Sequence, residues 1–91
     1  MMFVVVTKSI NVKNHKFDAK KIWSFLDNCA GDVDEFPTEA EARKAYDNWT
    51  QTEGILGDWV EYYELAEFKD DEYTILDCTN IDEICSKEKN L

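Results

Sequence analysis

Proton transfer near neutral pH most often runs through histidine, and this chain has one, His15, in a polar stretch between Lys13 and Lys16. No apolar pattern surrounds it, so a solvated imidazole is expected. Cys29, Cys78 and Cys85 include no C-x-x-C pair, and the step of seven from Cys78 to Cys85 is too long for a zinc knuckle. Each thiol also falls on an apolar face or strand, which predicts reduced cysteines packed as small hydrophobes in a reducing compartment; a disulfide across a dimer is the alternative. Gly31, Gly54 and Gly57 are isolated and make no phosphate-cradling loop. The oxygen-rich run from Asp27 to Glu35 fails the calcium-loop pattern, because Cys29 takes the third position of one register and Pro37 the sixth of the other. No catalytic residue, metal or cofactor is predicted, and the chain reads as a non-enzyme.

The carboxylates remain. Asp58, Glu61, Glu64, Glu67, Asp70, Asp71, Glu72 and Asp77 face a single base, Lys69, and are interleaved with Trp59, Tyr62, Tyr63 and Tyr73. Such a cluster repels itself. It serves either solubility or a partner with a basic surface, and for the second use Asp58, Glu61, Glu64, Glu67, Asp70, Asp71 and Glu72 would steer association while Trp59 and Tyr62 or Tyr63 anchor it. On a strand, same-face acids stand roughly 6.6 to 6.8 Å apart, close to the spacing of successive phosphates.

The whole chain is 91 residues with 20 acids, 10 bases and a net charge of −10. Residues 1 to 30 carry five lysines against two acids, a balance of +3, and the remainder carries −13. Direct nucleic-acid binding is disfavoured, since Arg43 is the only arginine and phosphates would be repelled. Anionic membranes are disfavoured for the same reason. The longest apolar run, Met1 to Val6, is too short to span a bilayer, no secretory leader is visible, and a cytoplasmic protein is expected. Apolar residues at 44% and aromatics at 13% predict a folded domain rather than an acidic tail.

The elements that must position these groups follow from local pattern. Phe3 to Thr7 is a β-branched, nearly all-apolar run, expected as a central strand. Asp18 can cap a helix whose inner stripe is Ala19, Ile22, Trp23, Leu26 and Cys29, with Gly31 as a left-handed stop. Asp32 to Pro37 reads as a linker. Thr38 and Glu41 form a capping box for a second helix with Ala42, Ala45, Tyr46 and Trp49 inward. Asp58 to Phe68 is ambiguous: a helix would group Trp59, Tyr62, Tyr63 and Ala66, whereas a strand would put Trp59, Glu61, Tyr63, Leu65 and Glu67 on one face. The strand is preferred, because Lys69 to Glu72 looks like a reversal into a strand from Tyr73 to Cys78. Asn80 can cap a short last helix, and residues 86 to 91 are expected to fray.

The expectation is therefore a single α+β domain over residues 1 to 91 in the order β-α-α-β-β-α, a three-stranded antiparallel sheet packed by two helices in two layers, with a radius of gyration near ~12 Å. Functionally, the pattern fits a small acidic protein-protein interaction module. One setting is an inhibitor or regulator of a basic, nucleic-acid-handling partner, of the anti-defence type that phages and mobile elements encode against restriction or CRISPR systems. A nuclease immunity protein is another, and in either an acidic face could imitate DNA phosphates. The alternatives are a self-associating structural protein, such as a homodimer, and a small-molecule-binding domain.

Overall fold

A computed structural model describes residues 1 to 89. It is an α+β fold with one five-stranded antiparallel sheet and three α-helices. The elements are β1 (Met2–Asn11), α1 (Ala19–Asp27), β2 (Asp32–Phe36), α2 (Glu39–Trp49), β3 (Gly54–Leu56), β4 (Trp59–Lys69), β5 (Glu72–Cys78) and α3 (Ile81–Lys89). Short 3-10 turns cover Lys13–His15 and Thr50–Thr52. The strands lie in the order β2-β1-β4, and the far edge of β4 is shared, β3 pairing with Trp59 to Glu61 and β5 with Glu64 to Lys69.

The centre is the β1/β4 ladder, in register from Met2 opposite Phe68 to Asn11 opposite Trp59. Directly paired residues share a face, so the ladder sorts the core into two sides. Phe3, Val5, Tyr63 and Leu65 meet Ala42 and Tyr46 of α2. On the opposite side Ile10, Val60 and Tyr62 meet Ile22 and Leu26 of α1 and Ile81 and Cys85 of α3. The helices thus cover opposite faces at opposite ends of the ladder. This diagonal arrangement lengthens the molecule to 40 × 24 × 17 Å and raises its radius of gyration to 13.7 Å, above the value expected for a sphere-like chain.

The side chains of all three expected N-caps accept from first-turn amides. The Asp18 carboxylate accepts from the Lys21 amide at 3.2 Å, and the Thr38 hydroxyl accepts from the Glu41 amide at 3.2 Å. The Asn80 side chain likewise accepts from the Glu83 amide at 3.0 Å. The stretch from Trp59 to Lys69 is a strand, and its hairpin turns at Asp70 and Asp71, whose φ values of +51° and +65° make the mirror-image turn that matches strand twist.

Three expectations need correction. The sheet has five strands, not three, because Asp32–Phe36 is a strand and Gly54–Leu56 is another. The first was hidden by its acids, which an edge strand tolerates with their side chains in water; the second is only three residues long. The layering also differs, since α2 packs on one face of the sheet while α1 packs on the other, joined there by α3 through Ile81 and Cys85. The fraying expected over 86 to 91 falls in part on residues 90 and 91, which lie outside the described residues. Gly31 is not a left-handed helix stop: α1 ends at Asp27, and the glycines with positive φ are Gly54 and Gly57. Its role is close approach, because a Cβ there would stand 2.7 Å from the Thr7 carbonyl oxygen and 2.8 Å from Lys8 Cγ.

The discontinuous edge of β4 is closed by Thr79, which is 1% exposed. Its hydroxyl accepts from the Tyr63 amide at 2.9 Å and donates to Glu53 Oε2 at 2.8 Å, while its own amide donates to the Tyr63 carbonyl at 2.9 Å. Thr79→Val keeps the shape but leaves the buried Tyr63 amide without its acceptor, so a loss of about 1–3 kcal/mol is expected by urea unfolding. Gly31→Ala is expected to cost a similar ~1–3 kcal/mol, since the clash is with β1 backbone. An unchanged urea midpoint in either variant would contradict this account of the two positions.

Candidate interaction surface

The strand parity of β4 decides where its acids go. Glu61 and Glu67 lie on the α2 side and Glu64 on the α1/α3 side. Glu61 and Glu67 are six residues apart, about 20 Å along a strand, so β4 carries no run of acids at phosphate-like spacing. Three of the seven acids have internal work. Asp58, in the β3–β4 turn, pairs with Lys16 at 2.9 Å; Glu61 accepts from the Ser9 hydroxyl at 2.8 Å; Glu64 accepts from the hydroxyls of Tyr62, at 2.7 Å, and of Tyr73. The remaining four gather at the hairpin tip, where Glu67, Asp70 and Glu72 border a hollow of about 240 Å³ with Lys69 and Thr74, beside Asp71. Asp77, further along β5, pairs with Arg43 of α2 at 2.8 Å.

The aromatic residues also divide. Trp59 is 47% exposed and can present its ring, whereas Tyr62 and Tyr63 are 4% and 7% exposed and belong to the two halves of the core. Tyr62 packs edge-on against Trp23 at 5.7 Å, and the Tyr63 hydroxyl shares a 2.8 Å hydrogen bond with Thr52.

An apolar surface that periodicity had not singled out lies beyond the ends of α1 and α3. Val4, Val6 and Ala66 form a floor there, with Met2 packed against it and no helix above. Val33 of β2, Phe68 of β4 and Tyr73 of β5 border a groove of about 520 Å³, with Lys8 and Glu64 at its sides. Val33, Phe68, Tyr73 and Ile75 are each 41% or more exposed. The apolar alternation of Tyr73 and Ile75 was visible in the sequence. Its exposure was not, since that depends on where the helices stop. Lys8 does not face the groove as a free charge, because its ammonium donates to the Leu26 carbonyl at the end of α1 at 2.9 Å.

On the face of β2 opposite this groove, two acids take the spacing that β4 lacks. Asp32 and Asp34 are exposed and two residues apart on one face of an edge strand, which sets them roughly 6.6–6.8 Å apart along the chain. They lie in the stretch expected to be a linker, so neither was singled out.

Electrostatics at the groove centre on Glu64. Burial first, and then the hydrogen bond and negative charge of Glu64, hold the Tyr73 phenol well above its ordinary value of 10.0, and the same causes act on Tyr62. Burial also raises the Cys78 thiol, aided by Glu64, Asp77 and Glu53 and opposed by a hydrogen bond with Tyr62. A thiol so placed is a poor nucleophile. His15 is exposed and rests edge-on against Phe25 at 5.6 Å. Among the described residues, no three His, Cys, Asp or Glu side chains come together as metal ligands, and no helix is long and apolar enough to cross a membrane.

No family model, curated protein or solved structure matches this chain.

The tyrosine pair provides a check on the Glu64 geometry. Glu64→Gln removes the charge but not the burial, so both phenols are expected to ionise at lower pH than in the parent, as read by absorbance at 295 nm. Because the folded phenols titrate above 10.0, their contribution to stability is full below that pH and is lost as pH rises through the folded values. Urea midpoints are therefore expected to begin falling only above about pH 10. Unchanged phenol titration in the Gln variant would mean that Glu64 does not engage them.

Proposed function

We propose that this protein is a non-enzymatic module that binds a basic protein partner through the β4–β5 end of its sheet. The observation that carries this reading is the coincidence of two surfaces on one hairpin. Its tip holds Glu67, Asp70, Asp71 and Glu72 around Lys69, and the strands behind the tip expose Phe68, Tyr73 and Ile75. Acids alone would suit solubility. Glu67 and Glu72 lie on the α2 face of the hairpin and Phe68, Tyr73 and Ile75 on the other, which suits a partner that grips its edge or end and brings lysine or arginine to one face and apolar groups to the other.

A partner with a surface built for phosphates meets that description, which supports an inhibitor or regulator of a nucleic-acid-handling protein, of the anti-defence or nuclease-immunity kind. In such a role the tip acids, with Asp32 and Asp34 on β2, would stand in for phosphates. The setting is cytoplasmic, where the half-buried Cys29 and Cys78 stay reduced. Trp59 lies at the other end of β4 from the tip, so on this reading Phe68 and Tyr73 take the anchoring role. Self-association draws support from the same apolar exposure, but each copy carries −10 and two acidic tips would have to approach.

The test uses a partner captured from the producing cells. Its association rate is measured against ionic strength for the parent and for Asp70→Asn, Asp71→Asn, Glu72→Gln combined. Asparagine retains the left-handed turn, so only charge is removed. An association rate about tenfold lower at low salt, with a shallower salt slope and displacement of the parent complex by duplex DNA, is expected. A rate that ignores both salt and the triple substitution would overturn the proposal.

A further inference from the structure

The sheet is bounded by β2 on one side and by the short β3 and the longer β5 on the other, and its two long edges, β2 and β5, are built differently. β2 carries Asp32, Asp34 and Glu35 within five exposed or half-buried residues, the usual guard against strand addition. β5 has charges only near its ends. Between Glu72 and Asp77 it runs Tyr73-Thr74-Ile75-Leu76, an uncharged stretch of β-branched, aromatic and aliphatic residues, and it pairs with β4 alone. Tyr73, Thr74 and Ile75 are exposed. The irregularity in pairing falls at Leu76, the extra residue between Asp77 opposite Leu65 and Ile75 opposite Ala66. That bulge turns Leu76 toward the α2 core and limits the straight edge to Glu72 through Ile75.

We infer that β5 is a strand-addition site, and that its occupant is an extended segment of a basic partner protein, with apolar and basic side chains alternating. The parity of β5 sets that chemistry. Tyr73 and Ile75 lie on the same side of the sheet as the uncovered groove, so alternate residues of an added strand extend that apolar surface. The intervening residues fall on the side of Glu72 and Thr74, next to the acidic tip, where lysine or arginine is matched in charge.

A second copy of the chain is the poorer occupant. Two-fold antiparallel pairing centred on Thr74 would set Asp71 of each copy against Asp77 of the other, and like charges directly opposite destabilise a pair. The inference rests on the basic-partner reading for the charge of the segment but not for the edge itself.

The test selects from a library of short capped peptides in which Val, Ile or Tyr alternates with Lys, Arg or Thr. Selected peptides are expected to slow amide exchange at Tyr73 to Leu76 by about tenfold or more, and no comparable protection is expected at β2. N-methylating alternate residues along one peptide edge is expected to abolish binding, while methylating the other edge leaves it intact, because only one edge can bond to β5. The site is overturned if no peptide is enriched, if both methylated series bind alike, or if protection appears elsewhere. Protection at β5 without peptide, rising with protein concentration, would assign the edge to a second copy and overturn the partner. Edge protection that persists regardless of salt and of the Asp70, Asp71 and Glu72 substitutions would keep the site and remove the electrostatic reading. Failure of the peptides beside a salt-steered captured partner would do the reverse.

Discussion

The β1/β4 ladder is the constraint on which the rest depends. Once Met2 stands opposite Phe68 and Asn11 opposite Trp59, the face of every residue between them is decided. A slip of one residue would send Val5 and Leu65, both fully buried, to the wrong side. The ladder is longer than any one helix can cover. α2 has eleven residues, but at 1.5 Å per residue it spans about half the length of a ten-residue strand pair. Each face is therefore covered over part of its length. On the α2 side the remainder is mostly polar, with Thr7, Ser9, Asn11 and Glu61, and only Trp59 at its end leaves a large apolar side chain exposed. On the other side the remainder is Val4, Val6, Ala66 and Phe68; the first three are buried without a helix over them, by flanking side chains such as Met2, and the apolar side chains around them, Phe68, Val33 and Tyr73, are left exposed. The exposed apolar surface is thus a consequence of helix length and ladder length together.

The far edge of β4 carries a second constraint. β3 and β5 approach it from opposite ends and leave Tyr62 and Tyr63 between them. Buried amides at such a gap must find acceptors. Thr79 supplies one with its hydroxyl and passes the bonding on to Glu53, so one small side chain ties β4 to the end of β5 and to the approach into β3. This junction aligns β5 as a straight strand only from the bulge outward, which is where the exposed Tyr73 and Ile75 begin.

What could be read from sequence was what depended on neighbours in the chain. Asp18, Thr38 and Asn80 act on amides three residues away, and the turn at Asp70 and Asp71 is built from residues that tolerate positive φ; all were legible. The alternation in β4 was legible too, but what covered each side was not. Tyr62 and Tyr63 look like surface anchors among acids, and both are buried because helices cover both faces of β4 at that point. β2 escaped because three acids in five residues oppose the strand pattern unless the strand is an edge, which no local signal states. Of the candidate site, the acidic tip was visible and the groove behind it was not, since the groove is made by Val33, Val6 and Phe68 from three separate strands.

The acids of the region have unequal standing. Asp58, Glu61 and Glu64 are engaged by Lys16, Ser9 and two tyrosines, and so serve the fold. At the tip, Glu67, Asp70, Asp71 and Glu72 surround one lysine, an excess of negative charge that repels itself in the free protein. Repulsion of this kind is relieved by approach of a cation and is indifferent to the core beneath it. The apolar strip behind the tip has the complementary property, being indifferent to charge and relieved by loss of water. Because the two lie on opposite faces of the hairpin, a basic, alternating segment along its edge relieves both at once, whereas a polyanion, an anionic membrane or a second acidic copy would relieve at most one.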